Sequence, residues 1–448
     1  MDKNLKKKVV DRCMRNHLVQ RVANSPIGSR IASGSFWSLS GNVMSKAVLL
    51  LSSIIVAHIL GRTEYGAYST IRTTIFLFFT LASVGVGSLT TKYISQFRES
   101  NLQKAYNIYV VSTLFSVIFG LATIGLIALT SSWIATSQLD DPSLASSLNY
   151  GAILLFFCTL NAAQAGTLTG FEDFRHIAQN TLISSIVETV SIALMAMKWG
   201  INGAIIGSAG GYIVLTIINH YYIKKHFGNR VSFKLKEVNK DEIEVIWVFG
   251  IPAALCNVLV LLALWLSRTY LVRETSFGEV AIYNVADQIK TMVLFIPMTL
   301  STILLPILTS VKYGSKDGDA YNKILKYNIL INVGITFCIG LILSVLANPI
   351  LSLWGKGFDR PAPLIILCGS AVFASFATVV GQAIASQGKM WAGFVCNLIW
   401  SILVLSFAFL FIKKGYGATG LALAIMIAYF IHGIYQYAYL KYLLKHQS

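Results

Sequence analysis

What this sequence has least of is charge. Asp, Glu, Lys and Arg make up 12% of its 448 residues, against about 25% in a soluble domain, which excludes an ordinary water-soluble enzyme of this length. Acidic residues are the scarcer half, 19 against 36 Lys and Arg, for a net charge of +17. That excess is not gathered on any one polar domain, so a nucleic-acid partner is excluded and membrane topology takes precedence. Cys158, Cys256, Cys338, Cys368 and Cys396 lie in apolar segments and Cys13 in a basic tail. They show neither a pairing framework nor metal-ligand spacing, so free thiols are expected, with no metal and no cofactor. No apolar stretch precedes Phe36, so the basic head is expected to be uncleaved and to stay inside. No loop is large enough for a separate globular domain.

What the chain does have is apolar length. Hydrophobic residues reach 55% and the mean hydropathy is +0.66, the signature of a polytopic membrane protein. A helix needs about 20 residues to cross the hydrocarbon layer. Stretches of that order run at about 34–58, 71–94, 106–130, 150–169, 178–197, 203–223, 243–267, 280–311, 325–346, 364–386, 392–411 and 418–440. Longer connections are expected only at 131–149 and at the basic linker 224–242. Counting Lys and Arg on alternate sides gives 24 against 8, which by the positive-inside rule puts both termini in the cytoplasm. The basic tail 1–30 reads as an orientation signal, with an anionic-lipid anchor as the functional alternative.

The two halves repeat. Gln164, Gly170, Asn180, Ser184, Gly200, Gly203 and Tyr212 are matched by Gln382, Gly388, Asn397, Ser401, Gly417, Gly420 and Tyr429, at an offset of 218 residues that slips once to 217. Six spans are therefore the repeating unit, and an even number gives both halves the same topology. The expected fold is an all-α polytopic membrane protein: twelve transmembrane helices in two pseudo-symmetric six-helix lobes, 31–224 and 243–441. A linker at 225–242 joins them and a short tail follows from 442. Such halves imply a substrate path at their interface and alternating access by rocking.

The first hairpin carries a resemblance. Leu60-Gly61-Arg62-Thr63-Glu64-Tyr65-Gly66-Ala67-Tyr68-Ser69, followed by an apolar helix with Gly85-Val86-Gly87-Ser88-Leu89-Thr90-Thr91-Lys92, resembles the first two helices of polysaccharide flippases. These belong to the multidrug, oligosaccharidyl-lipid and polysaccharide exporter superfamily, which includes O-antigen repeat-unit flippases. The resemblance implies a bacterial inner-membrane protein moving an undecaprenyl-diphosphate-linked oligosaccharide outward for surface polysaccharide assembly, with a polysaccharide polymerase as a possible downstream partner. It also implies two lobes, with the first and seventh-to-eighth helices flanking a portal for the lipid tail.

Ionisable residues inside spans are functional candidates, because a charge at the bilayer centre costs at least about 2.5–3.5 kcal/mol on insertion scales. Lys46 and Lys290 fall near mid-span and Arg72 one turn into the second span. The resemblance carries the basic residues of the first, second and eighth helices onto the same three, as ligands for a diphosphate. Asn42, Asn180, Asn284, Gln288 and Asn397 are candidates for the wall of a polar cavity, with interhelical hydrogen bonding as the alternative for each. Asp287 and Glu188 are candidates for coupling to H+ or Na+, although Asp287 and Lys290, at i and i+3, also suit a mutual ion pair. Relatives often carry an acid before the Arg closing the seventh helix, where this chain reads Ser267-Arg268. Pro297 and Pro306 are expected to kink the eighth span. Tyr435, Tyr439 and Tyr442 are expected to form an aromatic belt.

Two other function classes compete. A multidrug exporter of the same superfamily would favour carboxylates in its cavity. A membrane polymerase or glycosyltransferase would be expected to hold catalytic groups in a sizeable external loop, and 131–149 has two Asp but no His, Lys or Arg. A channel would not need the two-lobe repeat.

Overall fold

The computed structural model describes residues 26–83, 85–228, 251–314 and 318–445. The basic tail through residue 25, most of the linker (229–250), the last three residues, Cys13 and the side chains of Cys256 and Pro306 lie outside the described residues. Among them the secondary structure is helical throughout: α1 (Pro26–Ser83), α2 (Val86–Phe97), α3 (Leu102–Trp133), α4 (Leu144–Gly170), α5 (Phe174–Phe227), α6 (Ile251–Glu274), α7 (Phe277–Gly314), α8 (Gly318–Val345), α9 (Ala347–Ser352), α10 (Ala362–Ser386), α11 (Met390–Lys413) and α12 (Gly417–Lys445).

Two of these helices each hold more than one crossing. α1 breaks at Gly61 (φ 73°, ψ 172°) and α5 at Trp199-Gly200, where Gly200 has φ 55°. A positive φ is strained for residues with a Cβ and free for glycine. Eight described segments are long and apolar enough to span a membrane, the two of 48 and 54 residues being these broken helices. With α6 and α7 the crossings are twelve. The repeat is visible in the backbone: Gly200 and Gly417, equivalent in sequence, both have positive φ, 55° and 51°, where the last span of each lobe begins.

Three expectations about connections change. The polar stretch after Gly61, between the expected spans 34–58 and 71–94, is helix from Arg62 on, with Tyr65 buried against Phe358 of the other lobe and Tyr68 buried against Ser208 of its own. The segment 131–149 is mostly helical too: α3 continues as a π-helical turn, Ile134–Gln138, leaving a loop of 139–143 in which Asp141 accepts from the Ser143 N–H. The second span is broken where the small-residue run begins, Gly85 being left-handed (φ 66°). The run still allows close approach, since a methyl group on Gly166 of α4 would sit 2.3 Å from the Gly87 carbonyl oxygen. α7 runs unbroken through Pro297 and Pro306.

Packing divides the molecule by depth. For one end of the bundle we use "loop end" (Gly61, 139–143, Gly200, 353–361), and for the other "linker end". One apolar core crosses both lobes toward the loop end, joining Val56, Tyr65 and Ile71 to Val280, Tyr283 and Phe358. Toward the linker end the described residues form two separate cores, around Ile94 and Tyr109 in the first lobe and around Leu308 and Tyr321 in the second. The lobes are thus joined at the loop end and part toward the linker end. Outward faces are apolar, with Leu129 84% and Val345 76% exposed, as a lipid-facing surface requires.

Candidate functional site

Beneath the closed loop end lies a cavity of about 280 Å³ between the lobes. α1 supplies Ser52, Tyr68, Ser69 and Arg72; α6 supplies Arg268; α7 supplies Asn284, Asp287 and Gln288. Each arrives there through helical spacing: Tyr68 and Arg72, four apart, share a face of α1, as Asn284 and Gln288 do on α7.

The first-lobe wall is built on an ion pair. Arg72 Nη2 donates to Glu188 Oε1 at 2.6 Å and Nη1 to the Tyr68 hydroxyl at 2.9 Å. Because the Ser208 hydroxyl donates to the Ala204 carbonyl, the Tyr68 hydroxyl donates to Ser208 Oγ at 3.1 Å. Glu188 is buried, and its position is set by close packing of α5 on itself across the break: a methyl group on Gly211 would lie 2.5 Å from Glu188 Cβ.

The second-lobe wall is a carboxylate between two cations. Asp287 Oδ1 is 2.5 Å from Lys290 Nζ, and Oδ2 accepts from Arg268 Nη2 at 2.8 Å. The Arg268 guanidinium lies over the Tyr283 ring at 5.3 Å, and its buried Nε has no hydrogen-bond partner among the described residues. Lys46 stands one turn from Leu49 on the linker side of the cavity, 5.6 Å over the Phe295 ring of α7. Three cations, Arg72, Arg268 and Lys290, thus pair with two carboxylates, Glu188 and Asp287, and Lys46 adds a fourth cation on the linker side.

The structure brings Arg72, Asn284, Asp287 and Gln288 to one cavity, with Glu188 and Lys290 directly behind it. Asn284 Nδ2 donates to Ser69 Oγ across the lobes at 2.6 Å. Other amides stand elsewhere. Asn180 Nδ2 donates to Asn219 Oδ1 inside the first lobe at 2.9 Å, Asn42 Nδ2 to its own helix at Ser38, and Asn397 is on α11, outside the cavity lining. Arg268 is the residue that sequence reasoning left out. A span ending at 267 puts it in a loop, whereas α6 continues to Glu274 and keeps it inside. The acid that pairs with Arg268 is Asp287, on the neighbouring helix α7.

A second polar cluster closes the loop end. Arg62 donates to the carbonyls of Gly278 and Gly357, at 3.2 and 3.3 Å, and Glu279 pairs with Arg360 and accepts from the Ala418 N–H at 3.0 Å. Trp354 Nε1 donates to Ser53 Oγ at 3.2 Å and the Phe358 ring meets Tyr65 edge-on, so the 353–361 connection lies across the first lobe.

A family model described as polysaccharide biosynthesis protein matches residues 31–312, more than half of the chain. The chain belongs to this family. Among curated relatives, this family member is 22% identical over 428 residues to the EPS I polysaccharide export inner membrane protein EpsE of Ralstonia solanacearum, covering 92% of this chain and 94% of the relative. Among solved structures it is similar to an inward-facing multidrug resistance MATE family transporter of the MOP superfamily, with a TM-score of 0.79 at 16% identity over 91% of this chain and 98% of the other. An outward-facing conformation of such a transporter gives a TM-score of 0.69 at 17% identity, over 96% and 98%. These likenesses are of fold: the family member has the architecture of MOP superfamily transporters, and it is a multi-pass membrane protein.

Proposed function

We propose that the protein is a flippase that moves a polyprenyl-diphosphate-linked oligosaccharide repeat unit from the cytoplasmic to the outer leaflet of the inner membrane, for assembly of a surface polysaccharide. The observation that carries this reading is the charge at the lobe interface, Arg72, Arg268 and Lys290 against Glu188 and Asp287 at one cavity, with Lys46 a fourth cation on its linker side. In a low-dielectric setting a net cationic site attracts a diphosphate and repels a cationic drug. The exporter name of the EpsE relative, with 92% of this chain covered, supports the polysaccharide side of the reading.

In this reading the linker end is cytoplasmic, following the excess of Lys and Arg there, so the parted lobes present the cavity to the loading side. Arg268, whose Nε has no partner among the described residues, and Lys290 serve the diphosphate, and Arg72 serves it from the opposite wall. Asn284 and Gln288 offer amides to sugar hydroxyls. Glu188 and Asp287 are engaged by Arg72, Arg268 and Lys290, so a coupling H+ or Na+ has to displace a guanidinium or an ammonium. The polymerase that joins repeat units is the expected recipient on the outer face.

Deletion in the host tests this. Carrier-linked single repeat units should accumulate and surface polymer should be lost, with restoration by wild type but not by Lys290→Ala. Unchanged lipid-linked sugars together with greater sensitivity to cationic dyes would favour the drug-exporter reading instead.

A further inference from the structure

Arg62 begins the helical stretch that follows Gly61, at the rim of the loop end, its side chain 34% exposed. Every partner it has among the described residues belongs to the opposite lobe: the Gly278 carbonyl at Nε, the Gly357 carbonyl at Nη1, and Glu279 Oε1 at 3.8 Å from Nη2. Glycine at both carbonyl positions leaves room for the side chain. A methyl group on Gly278 would fall 2.7 Å from Arg62 Nε and one on Gly357 would fall 3.0 Å from Arg62 Cδ.

Glu279 has a different allegiance. Its carboxylate accepts from Ala418 N–H at the start of α12 and pairs with Arg360, both in its own lobe. The first lobe has a counterpart: Glu64 Oε2 lies 3.9 Å from where a methyl group on Gly200 would be, and Glu279 Oε2 lies 2.4 Å from the same point on Gly417, the equivalent residue. A carboxylate where the last span begins is therefore common to both lobes. The guanidinium reaching across is what the interface adds.

We infer that Arg62 is the clasp of the loop-end gate, the side chain whose release lets the cavity open away from the linker end. This rests on the alternating-access reading proposed above but not on the identity of the substrate. In the present arrangement the guanidinium fork engages two backbone carbonyls and one carboxylate at once, and separating the lobes breaks all three. Lysine, a single point charge on a flexible stem, cannot reproduce that fork. The contacts beneath, Gly66 against Phe277 and Tyr65 against Phe358, then part along the same seam.

The test uses the full chain in lipid nanodiscs without substrate, spin-labelled through bio-orthogonal residues at the exposed loop-end positions Thr136 and Lys414, one in each lobe. Wild type should give one short-distance population by pulsed electron resonance. Arg62→Ala should add a longer-distance population, raising the long-to-short ratio about tenfold, and Arg62→Lys should fall between. If both variants remain folded and monodisperse with the wild-type distribution, Arg62 is no clasp, and a lowered melting temperature without a change in distances says the same. If the distances shift but no lipid-linked glycan is ever moved, the clasp stands and the proposed substrate falls.

Discussion

Arg72 and Glu188 form an ion pair whose halves cannot be removed independently. Taking one partner from a buried pair leaves an uncompensated charge, at a cost of about 3–5 kcal/mol, and Glu188 is the more buried of the two. Glu188→Ala should therefore lower the melting temperature of the purified protein sharply, and adding Arg72→Ala should restore part of the loss. Simple additivity of the two would contradict the pairing. On the other wall, Arg268→Ala leaves Lys290 to hold Asp287, so the fold should persist. Transport should fall about tenfold or more, the equivalent of about 1.4 kcal/mol, read as surface polysaccharide restored to a deletion strain. Lys46→Ala, which removes a partly exposed cation outside the cavity lining, should cost less. The Asp287–Lys290 contact was legible in the sequence because three residues on a helix define a face. Arg268 was not, since its carboxylate comes from another helix and no local spacing announces it.

Glycines set how helices meet, and they separate two kinds of contact. A methyl group on Gly66 would lie 1.9 Å from the Phe277 carbonyl oxygen, in the other lobe, whereas one on Gly166 would lie 2.3 Å from the Gly87 oxygen, in the same lobe. Gly66→Ala should wedge the loop end apart and increase labelling of a cysteine placed at Ser69, with little loss of stability. Gly166→Ala should instead destabilise by about 1–3 kcal/mol, as overpacking does, without opening the gate. At the linker end, Asp173 ties the start of α5 to its far end by accepting from His176 and His226, each at 2.6 Å. Burial pushes this carboxyl up, but the hydrogen bonds from His226 and His176 outweigh it and hold the carboxyl below its ordinary value. A depressed carboxylate stabilises the fold above the unfolded value of about 4 and loses that contribution as pH falls through the folded one. Melting temperature should drop more steeply below pH about 4 in wild type than in Asp173→Asn, which should be less stable at neutral pH. Spans and their breaks at Gly200 and Gly417 were readable from hydropathy and the internal repeat. The helical course of Arg62 to Ser69 was not, because polar residues between two spans look locally like a turn, and only the burial of Tyr65 against Phe358 of the other lobe and of Tyr68 against Ser208 makes helix the better choice.

At the scale of the whole molecule, twelve crossings resolve into two lobes sharing one apolar core at the loop end and keeping separate cores at the linker end. That asymmetry gives the cavity a closed side and an open side, and the cations at the interface give it a sign. The two-lobe plan was legible because an even-span repeat forces equal topology on both halves. Which end is closed was not, since the closure depends on residues hundreds of positions apart, such as Arg62 with Gly357. The central claim, that the interface carries an anionic lipid-linked glycan, is tested most directly in proteoliposomes holding a fluorescent polyprenyl-diphosphate oligosaccharide. The measurement is the fraction of fluorophore that a membrane-impermeant quencher reaches over time. Wild type should expose label beyond that in protein-free vesicles, and Arg268→Ala should slow the exposure about tenfold or more. Label movement no faster than in protein-free vesicles, with the same preparation expelling a cationic dye, would contradict the account.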